Sequence, residues 1–373
     1  MGRTPANVDA RCEPRRYNHT PSEDGRTMTP TGTSVPTTTI LRQDSEFHSL
    51  RSEWNDLLAR STSDVPFLRH EYLETWWSSL GGGEWPRAEL CLVAARDENG
   101  RLAGVAPLFR TESGPQAVLR WVGSGEISDY LDLIVTPETL PVFVETALDA
   151  LQEEAWRSLE LDNVLEGSPT LPALEASARR RGWSFTRERL KPCPLIRLER
   201  GWEGYLDGLG KKQRHELRRK MRRAEAYPER LEIRHVHQAA DLGLEVGRFL
   251  SLMARDPAKA AFLTDAMREH FHRLARAAAE GRWLDLVFLE FGGRAAAAYF
   301  NFDYRNRIWV YNSGLDPEFL TLSPGWVLMG SVIELAAREG KEAVDLLRGE
   351  EPYKVQLGGV SRYVERLRVT RPG

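Results

Sequence analysis

The chain has 373 residues, more than a single hydrophobic core usually organises, so two domains or a duplicated fold are expected. With 41% hydrophobic and 28% charged residues and a formal net charge of −3, the composition is that of a globular protein and excludes a global electrostatic attraction to nucleic acid. The three cysteines (Cys12, Cys91, Cys193) are not spaced as a metal knuckle or a disulfide framework, no apolar run approaches the roughly 20 residues of a membrane span, and no signal-type apolar region opens the chain; the expected location is cytoplasmic, without membrane insertion.

Residues 1–38 are rich in Thr, Pro, Ser and Arg and lack periodic apolar positions, which predicts a disordered extension. Globular patterning then begins. Phe47, Leu50, Trp54, Leu57 and Leu58 fall at helical spacing and predict a helix over 44–60, capped by Asp44 or Ser45. A helix over 70–80 follows, ended by three glycines. Strands are predicted at 90–95 and 102–109 about an Asn99-Gly100 turn, then at 118–122 and 130–135. Helix 139–154, strand 158–162, helix 170–181 and strands 183–187 and 194–198 complete a first half, 39–200. The second half, 201–373, opens with a basic helix over 209–226 and a strand at 230–236. Helices at 238–253 and 258–280, strands at 284–291, 294–303 and 307–313, a helix at 324–339, and strands at 343–347 and 362–370 complete it.

The halves carry an internal repeat. Leu90-Cys91-Leu92-Val93 matches Leu284-Asp285-Leu286-Val287, Gly100-Arg101 matches Gly293-Arg294, and Trp121-Val122 matches Trp309-Val310. In each half a helix follows, and then a strand with an acidic residue, Asp162 or Asp345. Two copies of hairpin, strand, helix and strand predict a mixed α/β sheet repeated twice.

Three passages concentrate chemistry in the second half. Lys211–Arg223 carries eight Lys/Arg against one Glu, which suits an anion clamp as well as a solvated helix face; Lys211, Arg214, His215 and Arg218 are its candidate ligand-binding residues. Ser323-Pro324-Gly325-Trp326 opens the predicted helix at 324–339 with a cap residue and a proline at its first position, and a helix N-terminus is a ready anion site. Asp345 to Lys354 follows a strand end, where Gly349 permits a turn toward a cleft. Asp345 and Glu350 are candidate proton acceptors and Lys354 is a candidate stabiliser of negative charge, with Tyr353 orienting either. Trp76-Trp77 and the stripe Phe262, Met267, Phe271, Leu274 read as core. His215, His237, His270 and His272 form no metal-ligand pattern, and no metal is expected.

These passages, with Ser128-Asp129-Tyr130-Leu131-Asp132 in the first half, resemble the CelD/BcsL-like branch of the GNAT superfamily, which is similar in turn to the Fem-type peptidoglycan aminoacyltransferases. The resemblance spans about residues 45–370 and implies a tandem GNAT-like α/β fold with mixed sheets flanked by helices. It implies acetyl or other acyl transfer from acyl-CoA as co-substrate to a small-molecule or saccharide acceptor such as an amino sugar, amino acid or polysaccharide precursor. Ser323, Pro324, Gly325 and Trp326 would then hold the CoA pyrophosphate in place of the usual Gly-rich loop, which is absent. Asp129 and Tyr130 would form part of the acceptor wall. The alternatives are a Fem-like enzyme using charged tRNA, the one case with a nucleic-acid partner, and a non-catalytic accessory module of polysaccharide synthesis.

Overall fold

The computed structural model describes residues 35–372 except 86, 114, 115, 126 and 239. The first half contains β1 (Thr37–Leu41), α1 (Asp44–Ser49), α2 (Arg51–Leu58), α3 (His70–Leu80), β2 (Glu89–Leu90), β3 (Leu92–Arg96), β4 (Leu102–Ala106), β5 (Leu108–Ser113), β6 (Gln116–Trp121), β7 (Ile134–Val135), α4 (Leu140–Gln152), β8 (Ser158–Leu165), α5 (Thr170–Arg180) and β9 (Ser184–Arg197). The second contains α6 (Gly201–Gly208), α7 (Lys211–Glu225), β10 (Leu231–Val236), α8 (Leu242–Met253), α9 (Pro257–Phe262), α10 (Asp265–Glu280), β11 (Leu284–Phe291), β12 (Arg294–Tyr304), β13 (Arg307–Leu315), α11 (Pro324–Arg338), β14 (Ala343–Asp345), α12 (Pro352–Gln356) and β15 (Val360–Thr370).

Two sheets form. One has four strands in the order β1-β3-β4-β7; the other has eleven, in the order β10-β11-β12-β13-β14-β9-β15-β8-β6-β5-β2. The repeat is visible in the pairing. In each half an antiparallel strand pair is followed by a helical crossover to a parallel strand, β6 to β8 through α4 and β13 to β14 through α11. The last strands are exchanged: β9, from the first half, pairs with β14, while β15, from the second, lies between β9 and β8. The boundary expected near residue 200 therefore falls between β9 and α6 in sequence, but the sheet runs through it.

Several expected elements are cut differently. The helix expected over 44–60 is two, meeting at Leu50, and Gln43 rather than Asp44 or Ser45 caps the first through a capping box with Glu46. The helix expected over 258–280 breaks at Leu263, because the Thr264 hydroxyl accepts the Met267 N–H and starts α10 afresh. The two strands expected at 183–187 and 194–198 are the single long β9. The disordered segment was expected to reach residue 38, yet β1 starts at Thr37 and pairs with β3; residues 1–34 lie outside the described residues.

The apolar core lies on both faces of the larger sheet. One face packs α3, α8 and α10 through Trp76, Phe249, Phe271 and Phe300. The other packs α6, α7 and α11 through Tyr205, Leu217, Val327 and Ile333. Gly330 lets α7 approach α11 closely: a Cβ there would lie 2.9 Å from Leu217 Cδ1 and 3.2 Å from Met221 Sδ. No helix among the described residues is long and apolar enough to cross a membrane.

Candidate functional site

β13 and β14 pair only over Arg307–Trp309 and Ala343–Asp345. Beyond that point β14 ends, and the chain turns away through Leu346–Gly349 while β13 runs on to Leu315. Leu346 and Gly349 donate their N–H groups to Pro194 and Pro192 of β9, which holds the turn aside. The parallel strands thus splay apart, and the wedge between them is a cavity of about 480 Å³ bordered by Val310–Ser313 of β13 and by 346–351. A register shift in the β12–β13 pairing, where Phe300 faces Asn312 and Asn301 faces Val310, leaves Tyr311 bulged and brings it to the cavity wall.

Charged groups enter from four directions. Asp129 comes from the first half, Lys191 from β9, Lys259 from α9, and Arg348, Glu350, Glu351 and Lys354 from the turn and α12. Asp129 is buried and ion-paired with Arg348, which also donates to Asn163 Oδ1 at 3.0 Å. Burial pushes the Asp129 carboxyl above the ordinary aspartate range, and the Arg348 charge opposes that rise. Glu350 is exposed at the mouth, 2.9 Å from Lys191 Nζ. Tyr353 lines the wall, and burial pushes its phenol up.

The two central lysines are held differently. Lys354 lines the cavity, but its Nζ donates to Arg348 O at 2.6 Å and Leu347 O at 3.4 Å, and lies 3.2 Å from Glu351 Oε2. All three of its hydrogens have acceptors, so it fixes the 347–351 turn; the expected role of presenting a charge to the substrate is not what this geometry provides. Gly349 makes that arrangement possible: its φ is +147°, and a Cβ there would lie 2.4 Å from Lys354 Nζ. Lys259 donates to Ser313 O and Oγ at 2.6 and 2.9 Å, with no carboxylate within ion-pairing distance among the described residues. Burial pushes its ammonium below the ordinary lysine range.

Asp345 does not enter the cavity. It is fully buried; Oδ1 accepts Tyr130 O–H at 2.9 Å and Leu347 N–H at 3.0 Å, and Oδ2 accepts from Arg362 at 2.6 Å. With both oxygens occupied it cannot serve as the proton acceptor expected of it. It instead ties the 129–130 segment to the 346–349 turn from behind. Tyr130, expected beside the acceptor, is buried at that joint with φ +54°, so of the Asp129-Tyr130 pair only Asp129 reaches the cavity.

The start of α11 is built as expected from a proline at the first turn, but Ser323 is used differently. Ser323 sits at φ 56° and ψ 52°, a conformation that L-residues seldom adopt, and its hydroxyl makes no cap bond. The Oγ instead accepts from Lys220 Nζ and from an Arg223 terminal nitrogen, each at 3.1 Å. Pro324 has no N–H, and Trp326 and Val327 donate to Ser323 O, leaving the Gly325 N–H as the unspent donor of the first turn. A Cβ on Gly325 would make ordinary contacts with Leu315 at 3.5 Å and Tyr299 Oη at 3.8 Å. Lys220 also lies over the Trp326 ring, 4.8 Å from its centroid. Tyr299 joins this helix start to the cavity, lining the one and donating to Gly325 O at 3.0 Å.

The basic helix thus meets α11 through Lys220 and Arg223. Lys211, Arg214, His215 and Arg218 line a separate open groove of about 710 Å³ with Trp202. There Arg214 pairs with Asp207 at 2.9 Å and Arg218 with Glu203 at 3.7 Å. The four candidate clamp residues thus share one groove, while Lys220 and Arg223 of the same helix meet α11. The sequence reading missed Lys259, which the break at Leu263 sets on its own short helix.

No curated protein matches the sequence. Among solved structures, FemX superposes with a TM-score of 0.61 at 11% identity, covering 89% of this chain and 96% of that one. A conserved protein of unknown function from Bacteroides thetaiotaomicron gives 0.56 at 14% identity, covering 89% and 100%. The C-terminal domain of a putative lysylphosphatidylglycerol synthetase from Agrobacterium fabrum gives 0.53 at 12% identity, covering 88% and 92%. At these identities the likeness is one of fold. Residues 211–355 match the family model described as an acetyltransferase (GNAT) domain, and the chain has the GNAT fold, with mixed sheets flanked by helices.

Proposed function

We propose that the protein is an acyltransferase that moves an acetyl group from acetyl-CoA to an amine or hydroxyl of a small polar acceptor such as an amino sugar, amino acid or polysaccharide precursor, as the CelD/BcsL-like resemblance implies. The observation that carries this reading is the wedge between β13 and β14 leading past Tyr299 to the cationic start of α11. A strand edge without a partner suits an extended, amide-bearing arm. Lys220, Arg223 and the Gly325 N–H suit a diphosphate. When bound, acetyl-CoA supplies an activated thioester.

The chain's own residues then have separable tasks. Asp129, whose buried carboxyl is shifted toward proton uptake, accepts the proton that the acceptor loses. Lys259 faces the negative charge that develops at the acyl oxygen. Lys354 and Asp345 position the turn, and Glu350 and Lys191 guard the mouth.

Calorimetric titration with acetyl-CoA tests the reading. The protein as it stands should bind one equivalent, and the Lys220→Ala/Arg223→Ala variant should bind at least about a hundredfold more weakly, since each of the two charge-assisted hydrogen bonds contributes about 1.5–3 kcal/mol. No binding of acetyl-CoA, with salt-sensitive binding of charged tRNA instead, would replace this reading with the Fem-like one.

A further inference from the structure

β10 is the end strand of the larger sheet, and its last residues continue into a side-chain cluster that does not line the acyl-transfer cavity. His235 and His237 are two apart, so they project from the same face, as the near-parallel stacking of their rings at 5.9 Å and 21° shows. The same register brings Asp285 of β11 beside them. Its Oδ1 lies 2.7 Å from His235 Nδ1 and 3.9 Å from His237 Nδ1. Ligand atoms of all three residues fall within 4.8 Å of one another.

We propose that His235, His237 and Asp285 form a binding site for a borderline divalent metal ion, with Zn²⁺ as the best-matched ion. Two imidazole nitrogens and one carboxylate oxygen are a ligand set for such an ion, while Mg²⁺ and Ca²⁺ favour all-oxygen cages. Ligands about 2.0–2.2 Å from a tetrahedral centre sit a little over 3 Å apart, so the widest separation here, within 4.8 Å, has to close by up to about 1.5 Å, which the exposed His237 ring can supply.

Three further observations favour a ligand set over a plain ion pair. His237 Nδ1 lies 3.0 Å from Leu284 O, so a backbone carbonyl holds its N–H and Nε2 is the nitrogen left for an ion, the usual outer-shell arrangement of a metal-bound imidazole. The second oxygen of Asp285, Oδ2, is held by the Asn301 amide at 3.1 Å, which fixes the carboxylate as an outer-shell partner does. Asn301 is itself fully buried and its Oδ1 has no partner among the described residues, so its side chain's one hydrogen bond there is spent on this task. Finally, Asp285 is 3% exposed and His237 60% exposed, which gives a buried anchor with an open entrance for the ion and for the water that completes its shell. On binding, the proton shared between His235 and Asp285 leaves to the buffer as the nitrogen–metal bond forms. The ion would clamp the end strand β10 to β11.

The test is titration of chelator-treated full-length protein with ZnCl2 near neutral pH, followed by calorimetry and thermal unfolding. One equivalent should bind, with a heat that varies with the ionisation enthalpy of the buffer and with a rise in Tm. His237→Gln, a change at an exposed position, should fold normally and weaken Zn²⁺ binding about 10–100-fold. His235→Gln should do the same, and excess Mg²⁺ should not compete. The proposal falls if Zn²⁺ does not saturate one site, if Mg²⁺ competes equally, or if both variants bind as tightly as the parent. None of these readouts depends on acetyl transfer.

Discussion

At the scale of single residues, the division of labour between two lysines is the sharpest consequence of the cavity. Lys354 donates to two backbone carbonyls and lies beside Glu351, whereas Lys259 hydrogen-bonds only Ser313 among the described residues and is pushed down by burial. Removing Lys354 strands carbonyls in a buried turn at about 1–3 kcal/mol each. Lys354→Met should therefore lower Tm by at least ~3 °C, and any loss of turnover should follow from the slackened turn. Lys259→Met strands one carbonyl, Ser313 O, so it should lower Tm less than Lys354→Met does, and it should cut kcat about a hundredfold, the lower end for removal of an electrostatic stabiliser. Parallel melting curves and thiol-release rates separate the two roles. Full turnover in Lys259→Met would remove that residue from the mechanism.

At the scale of elements, the packing of α10 on α3 carries a pH dependence. His270 on α10 is fully buried, with Nδ1 2.9 Å from Ser79 Oγ on α3 and Nε2 without a partner. Burial pushes its pKa from 6.5 to about 4, so folding favours the neutral ring. Above pH 6.5 both states are neutral and the full stability is present. As pH falls from 6.5 toward 4, the unfolded chain takes up a proton that the folded one refuses, and on the order of 3 kcal/mol is lost. His70 is also buried and pushed down by burial, so His270→Gln should flatten the fall in stability over that interval without abolishing it. Chemical denaturation at several pH values between 4 and 7 reads the slope. The elements themselves were unevenly legible. Pro324 announces the start of α11, and the matched pairs ending in Trp121-Val122 and Trp309-Val310 announce the repeat, because turn chemistry and period are local properties. Which turns of α7 reach α11 is a tertiary fact: Lys211 and Lys220 carry the same charge on one helix, and only the packing of Leu217 and Met221 against Gly330 selects the latter. Lys259 was hidden because an apolar stripe continues across the break at Leu263. Asp345 looked catalytic because a buried ion pair and a proton acceptor use the same side chain. The His-x-His spacing of 235 and 237 was open to view, but its carboxylate is supplied by a strand 50 residues away.

At the scale of the whole molecule, strand exchange makes the two halves obligate partners. β15 is bordered on both sides by first-half strands, β9 and β8, over most of its length. β14, which forms one wall of the splayed wedge, has β9 as its antiparallel neighbour. Residues 201–373 alone would therefore leave β15 with no partner strand and β14 with one exposed edge, and the turn at 346–349 would lose its anchors on Pro192 and Pro194. Residues 35–200 alone would keep β9 as an unpaired ribbon of 14 residues. The exchange also stacks Tyr130 and Asp345, from opposite halves, behind the cavity. The expected outcome is that neither fragment gives a cooperative thermal transition or retains acetyl-CoA binding by itself, while the two co-expressed as separate chains recover both, because every sheet pairing then has its partner. Near-ultraviolet circular dichroism and calorimetry on each fragment and on the pair check this. A cooperative transition in isolated 201–373 would mean that the second half closes its own sheet without β9 and β8, and the cavity would then belong to that half alone.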